Sequence, residues 1–191
     1  MKPSRTILSQ SGPAHTAIIS LGSNIDKEMN LIKALELLAA NTTIVDVSTV
    51  YETRPIGLEE QENFLNAAVM IRTPLTPDQL KGGLLTDIER QLNRVRTADK
   101  NAPRTIDLDI SWFDNVRGEY AGPDGRLRQI PDPDLLRYAH VAVPVAELLA
   151  DDVVYPGTAE RLQSISNRLQ ESSIRGGKKS IWKRPDIDLA A

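Results

Sequence analysis

No cysteine occurs in the chain. Disulfides, thiolate nucleophiles and cysteine-ligated zinc or iron–sulfur centres are therefore excluded, and a reducing compartment is compatible with the composition. His15 and His140 are the only histidines, which rules out a histidine-rich metal site. Aromatic residues make up 4% of the chain, too few for the stacking platform of a sheet-type RNA binder. Positive charge is not in excess: 23 Lys and Arg face 26 Asp and Glu, a formal net charge of -3. Neither a nucleic-acid binder nor a membrane-surface protein is indicated. No stretch approaches the ~20 apolar residues of a membrane span. The opening segment "MKPSRTILSQSGPAHT" lacks the apolar run of a signal peptide and reads as a flexible lead-in. No Walker-type phosphate loop is present, because "GSNIDKEMN" (22–30) has one glycine and no Gly-Lys-Ser/Thr ending. Nor is there a nucleophile elbow or a Ser/His/Asp set. A soluble, cytoplasmic protein is expected, and a local basic site for an anionic small molecule stays open.

The length of 191 residues suits one domain with a real core and is short for two. A single domain over 1–191 is expected, with a core over about 16–172 and a basic, loose C-terminal tail. "TAIISLGSN" (16–24) reads as a buried strand running into a turn. Residues 29–41 carry Leu31, Ala34, Leu35 and Leu38 at helical spacing. Residues 42–53 are rich in Val, Ile and Thr and read as one strand, and 64–73 as the next. A helix is expected over 76–95, with Thr76 as N-cap, Pro77 at N1 and Gln79 at the capping-box position. Gly82-Gly83 weakens its middle by roughly 1 kcal/mol per glycine. A strand over 104–113 follows, then loop and turn with a short hairpin over 114–134. Helices close the pattern at 140–152 and at 157–172, the latter capped by Thr158. Two strand–helix–strand units in succession imply an α+β, ferredoxin-like sandwich: a mainly antiparallel sheet with helices packed on it.

The segment "APRTIDLDIS" (102–111) places two carboxylates in a strand. Side chains alternate with period two, so Asp107 and Asp109 share a face roughly 6–7 Å apart, and Ile106, Leu108 and Ile110 face the core. Two like charges that close need a cation between them. Hard divalent ions such as Mg²⁺ take one or two carboxylates together with waters and phosphate oxygens. Arg94, Arg96 and Arg104 lie just upstream. They serve either as plain counterions on a solvated sheet face or as the cations of a phosphoryl-transfer site.

Six collinear segments resemble the 6-hydroxymethyl-7,8-dihydropterin pyrophosphokinase family of folate biosynthesis: "ISLGSN" (19–24), "VYETRPIG" (50–57), "QENFLNAAV" (61–69), "IE" (88–89), "NRVR" (93–96) and "PRTIDLDI" (103–110). The resemblance extends over roughly residues 16–157. The resemblance implies a ferredoxin-like enzyme that moves the pyrophosphoryl group of ATP to the pterin hydroxymethyl group and releases AMP. It implies that Asp107 and Asp109 hold two Mg²⁺ ions. Arg94 and Arg104 would contact the phosphates and assist transfer. Arg96, Glu89 and Ile110 would complete the nucleotide side. On the pterin side, Phe64 matches the stacking aromatic and Asn66 the side chain that reads the ring edge. Thr53, Pro55 and Ile56 match the loop that lines the pocket. Taken alone, Phe64 suits ordinary core packing and Asn66 a satisfied buried amide; the collinear match favours the binding roles. The partners implied are the two small-molecule substrates, with the chain a monomer or weak homodimer.

The chain departs from the family pattern in places. Thr97 stands for a loop lysine, Asn101 for a covering aromatic, Ala102 for a glycine and Thr86 for a nucleotide-side glutamine. Asp132 stands where the family carries histidine. Tyr138 and His140 fall near an arginine and a phenylalanine, with Arg137 one position from the arginine. His140 is thus either a second pterin-stacking ring or a half-buried residue at a helix start. The alternatives are an altered homologue acting on a different pterin, a pterin- or nucleotide-binding regulator without turnover, and an RNA-binding module.

Overall fold

The computed structural model describes residues 14–57, 60–95, 97, 99, 101–114, 116–175 and 178–189. Strand β1 (His15–Ser23) lies inside the sheet, antiparallel to β4 (Phe64–Thr73) on one side and to β5 (Asp107–Phe113) on the other. Between them come helix α1 (Lys27–Ala39) and the strands β2 (Thr43–Val47) and β3 (Tyr51–Thr53), which both pair with β4. All pairings in this sheet are antiparallel, in the order β10 (Ile181–Lys183), β3, β4, β1, β5. Taking β2 and β3 as one interrupted strand, the core order is fourth, first, third, second, as the two strand–helix–strand units require.

The single strand expected over 42–53 is broken. The Ser48 hydroxyl accepts from Ala68 N at 2.8 Å while Ser48 N donates to the Ala68 carbonyl. The side chain thus replaces a ladder partner and lets the chain step. The helix expected over 76–95 is also not uniform. It runs as α2 (Pro77–Gln79), a π-helical turn (Leu80–Leu85) and α3 (Thr86–Gln91). Its capping box forms as read, with Thr76 Oγ1 accepting from Gln79 N and Gln79 Oε1 accepting from Thr76 N. The wide turn contains Gly82-Gly83, which hold regular helix least.

The sheet has two covered faces. Ile19, Leu21, Leu65, Ala67, Leu108 and Ile110 pack against Leu31, Ala34 and Leu38 of α1 and Leu80, Leu85 and Ile88 of the second helical run. The alternate residues Ile18, Ala68 and Trp112 face α4 (Ala139–Glu147) and α5 (Leu162–Ser172). The expected hairpin forms as β6 (Gly118–Ala121) with β7 (Leu127–Ile130). Thr158 does not cap α5. Its hydroxyl closes a turn by donating to the Tyr155 carbonyl, and α5 starts four residues later with no side-chain cap.

The C-terminal tail is not loose throughout. After the short pair β8 (Ile174–Arg175) and β9 (Lys178–Lys179), β10 (Ile181–Lys183) adds to the sheet beside β3. Ile181 is 1% exposed. Arg184 then meets Glu52 at 2.7 Å and Asp186 at 2.8 Å. The aliphatic Ile181 and this ion pair supply the anchoring that the basic composition of the tail conceals.

Candidate active site

The site lies on the α4 side of the sheet, where the register sets Gly22 beside Asn66 on β4 and beside Asp107 on β5. Period two then places Phe64 and Asn66 on the same face as Asp107 and Asp109. A cavity of about 440 Å³ opens there, and both pairs line it. Ser20, Thr53, Arg54, Ile56, Asn101, Arg104, Asp132, Asp134, Tyr138 and His140 complete most of its wall. A second cavity of about 590 Å³ adjoins it, sharing Thr53, Arg54, Ile56, Tyr138 and His140, and takes in Pro55.

The carboxylate pair is surrounded by cations. Asp107 Oδ2 accepts from Arg104 Nη1 at 2.5 Å and lies 3.7 Å from Arg94 Nη2. Asp109 Oδ1 lies 2.9 Å from Lys81 Nζ and 3.6 Å from Arg128 Nη1. Local structure aims each of these groups. Asn93 takes a left-handed φ of 57° at the end of α3. Its N–H returns to the Arg90 carbonyl, and the N–H of Arg94 returns to that of Glu89. This Schellman closure turns Arg94 back toward β5. Arg104 is fixed through its backbone: its N–H donates to Asn24 Oδ1 at 2.7 Å, and its carbonyl accepts from Asn24 N. Asn24, 4% exposed, also donates to Gln61 Oε1 and the Glu62 carbonyl. One buried amide therefore ties the turn after β1 to both loops that flank the cavity.

Two oxygen donors on one strand face fit a hard divalent cation that completes its shell with water and phosphate oxygens. Among the described residues no group of three or more His, Cys, Asp or Glu forms a metal cluster, so the pair is not an all-protein cage.

The Phe64–Asn66 side of the cavity is equally defined. Asn66 Nδ2 donates to Thr53 Oγ1 at 2.8 Å within the protein interior. That bond fixes the amide's orientation. The Arg104 guanidinium stands over the Phe64 ring at 5.6 Å, a cation–π contact. Tyr138 and His140 stack at 5.3 Å between ring centroids. Burial, with Arg104 nearby, holds the His140 imidazole down to about 4, so at neutral pH it is an uncharged ring. The loops after β3 and before β5 touch, since Gln61 Nε2 donates to the Asn101 carbonyl. Gly57, at φ +91°, leaves no room for a Cβ beside the Asn101 amide.

Asp132 is a third carboxylate in the wall. Burial is the main cause that pushes its carboxyl up to about 7, and Asp109 adds to this. One oxygen of Asp132 accepts from Asp134 N at 2.9 Å at the start of a 3-10 turn (Pro133–Leu136).

Of the positions read from sequence, Thr53, Ile56, Phe64, Asn66, Arg104, Asp107, Asp109 and His140 line the first cavity, and Pro55 the second. Arg94 reaches the site through Asp107. Ile110 buries its side chain in the core beneath the sheet, and Glu89, 2% exposed, sits behind β5; neither lines these cavities. Arg96 lies outside the described residues. Sequence reasoning missed Lys81 and Arg128. Arg128 was hidden in a loop reading. Lys81 did carry a signal, because it stands at a core position of its helix, four residues before Leu85 and seven before Ile88. Burial works against the Lys81 ammonium, and the Asp109 and Glu89 carboxylates outweigh that and keep it protonated.

A sequence profile of the family described as 7,8-dihydro-6-hydroxymethylpterin-pyrophosphokinase matches residues 18–150. The 2-amino-4-hydroxy-6-hydroxymethyldihydropteridine pyrophosphokinase of Bacillus subtilis is 41% identical over 137 residues, covering 69% of this chain and 77% of that protein. Its counterpart in Methylorubrum extorquens is 41% identical over 141 residues, 72% of this chain and 85% of that one. The folic acid synthesis protein fol1 of Pneumocystis carinii is 30% identical over 174 residues, and the chain spans only 22% of its length. Among solved structures, wild-type Plasmodium falciparum HPPK-DHPS matches with a TM-score of 0.72 at 11% identity. That match covers 92% of this chain and 49% of the other, and shows likeness of fold.

Proposed function

The chain belongs to the 7,8-dihydro-6-hydroxymethylpterin-pyrophosphokinase family, and from that premise we propose that it transfers pyrophosphate from ATP to the hydroxymethyl group of 6-hydroxymethyl-7,8-dihydropterin in folate biosynthesis. AMP is the second product. The observation that carries this reading is the placement of Arg104. Its guanidinium covers Phe64 and bonds Asp107, so the ring pocket and the carboxylate pair are two halves of one cavity.

The hydroxymethyl oxygen forms a bond to the β-phosphorus of ATP. The bond from that phosphorus to the bridging oxygen of the α-phosphate breaks, and the alcohol loses its proton. Phe64 and the uncharged His140 offer faces to the flat pterin, and Asn66, oriented by Thr53, reads its amide-like edge. Arg94 and Arg104 offset the charge that gathers on the phosphoryl oxygens and hold the reacting groups in line. Asp107 and Asp109 would hold two magnesium ions, which when bound supply charge neutralisation at the phosphate oxygens. The activity belongs to one domain, monomeric or weakly dimeric, working in the cytoplasm on two small-molecule substrates.

Incubation with hydroxymethyl-dihydropterin, ATP and Mg²⁺ should yield AMP in proportion to the pterin supplied. AMP release that ignores the pterin refutes the proposal. A related pterin alcohol as acceptor is favoured by one observation, the stacked Tyr138–His140 pair in the wall shared by both cavities. Competition between pterin alcohols in the same assay separates the two readings.

A further inference from the structure

Strand β5 ends the sheet on its side, so the outward N–H and C=O of Leu108 have no strand to pair with. Two helix side chains take that place. Glu89 Oε1 accepts from Leu108 N at 3.0 Å, and Lys81 Nζ donates to the Leu108 carbonyl. Lys81 Nζ also lies 3.3 Å from Glu89 Oε1 and 2.9 Å from Asp109 Oδ1. The ammonium has three donors and meets three acceptors. It is 1% exposed and reaches round the open strand edge from the π-helical turn to the site face. A lysine that only sealed the edge would need Glu89 and Leu108 alone. The third contact goes to a carboxylate of the site.

We propose that Lys81 is a positioning residue: it is the resident counter-cation of Asp109, orienting that carboxylate and keeping its affinity for free divalent cations low until a nucleotide brings phosphate oxygens. Glu89 acts through it, drawing part of the ammonium's charge away from Asp109. This rests on the reading of Asp107 and Asp109 as a magnesium pair.

The two single substitutions have opposite expected signs. Lys81→Met removes a positive charge beside Asp109. Glu89→Gln leaves the whole ammonium to Asp109. A role confined to holding β5 in place predicts that both substitutions weaken metal binding. The test is a titration of the full chain with Mn²⁺, following free Mn²⁺ by electron paramagnetic resonance, with and without α,β-methylene-ATP. Without nucleotide, Lys81→Met should bind Mn²⁺ about tenfold more tightly than the unmodified chain, and Glu89→Gln roughly threefold or more weakly, because the charge lies within one carboxylate of the ion. The gain in affinity on adding α,β-methylene-ATP should shrink in Lys81→Met. Asp109→Asn serves as reference. If it binds Mn²⁺ as well as the unmodified chain, the metal reading itself fails. If Asp109→Asn loses Mn²⁺ while Lys81→Met shows equal or weaker affinity, the role of Lys81 fails and the metal reading stands. Should Lys81→Met not fold, unchanged or tighter binding by Glu89→Gln overturns the proposal by itself.

Discussion

Replacing Asp132 by asparagine should stabilise the protein above neutral pH, by less in mild acid, and not at all near pH 3. An unfolded aspartate ionises near 3.8, whereas burial moves the folded Asp132 to about 7. Between those values the folded chain keeps a proton that the unfolded chain has lost, so stability falls as pH rises through the window. An interval of about 3 in pH corresponds to about 4 kcal/mol at full strength. Asp132 lines the open cavity, and solvent there screens part of this, leaving about 2 kcal/mol. For a chain of this size that is a rise in Tm of roughly 4–8 °C. Asparagine keeps an oxygen to accept from Asp134 N and cannot ionise. Thermal unfolding of both proteins at pH 5 and pH 8 tests the reasoning. The variant should melt higher at pH 8, and the difference should shrink to roughly a third at pH 5, where only the first part of the window has been crossed. An equal difference at both pH values, or a variant less stable at pH 8, would show that Asp132 is not a buried, reluctantly ionised acid.

Asp109→Asn should abolish pterin-dependent AMP formation while the far-ultraviolet circular dichroism stays unchanged; retained turnover would refute its place in the reaction. Asn66→Ala removes the amide but spares the nucleotide side, so KM for the pterin should rise about 10- to 100-fold, the loss of one or two buried hydrogen bonds. KM for ATP should hold, and an equal rise in both would point to general distortion. Ile181→Ala tests the C-terminal strand. A side chain 1% exposed costs about 2–4 kcal/mol when cut back to alanine, so denaturant unfolding should show a clear loss; no loss would mean that β10 detaches at little cost.

Strand β4 was legible because Phe64–Thr73 is a continuous β-prone run bounded by polar residues and by Thr-Pro. Its boundaries match the expected ones. The Asp-x-Asp face of β5 followed from period two alone, and the core side chains Ile106, Leu108 and Ile110 are buried as that period requires. Features that depend on a single side chain replacing backbone partners were harder to read. The break at Ser48 is one hydroxyl standing in for a strand, and composition carries no trace of it. The π-helical turn differs from a regular helix by spacing, so a periodic reading passes over it even when Gly82-Gly83 marks the place. Lys81 shows how this matters for the site. Its core position was visible, but its partner Asp109 lies 28 residues away in sequence, and only the sheet edge brings them together. The tail was misjudged because charge dominated the reading, when one isoleucine and one arginine decide whether it docks.

Charge balance in the cavity links these observations. Asp107 meets Arg94 and Arg104, and Asp109 meets Lys81 and Arg128. Asp132 adds only part of a charge near neutrality, because burial keeps a share of it protonated. The carboxylate pair is therefore already compensated by the chain's own cations. On the proposed reading, a triphosphate entering here would add negative charge that Arg94 and Arg104 cannot offset while they also pair with Asp107. Further positive charge has to arrive with the nucleotide. Lys81 is held by Glu89 and the Leu108 carbonyl as well as by Asp109. The two aspartates thus have unlike partners: guanidinium groups at Asp107, and at Asp109 a buried ammonium with a further guanidinium. Asp107→Asn should consequently cost less stability, since the side chains of Arg94 and Arg104 keep some exposure, 11% and 16%, against 1% for Lys81. Asp109→Asn should destabilise more, because a buried ammonium loses one of its two carboxylate counter-charges. Chemical denaturation of the two variants in the absence of nucleotide measures the difference, and an Asp107→Asn loss equal to or larger than that of Asp109→Asn would refute this division of roles.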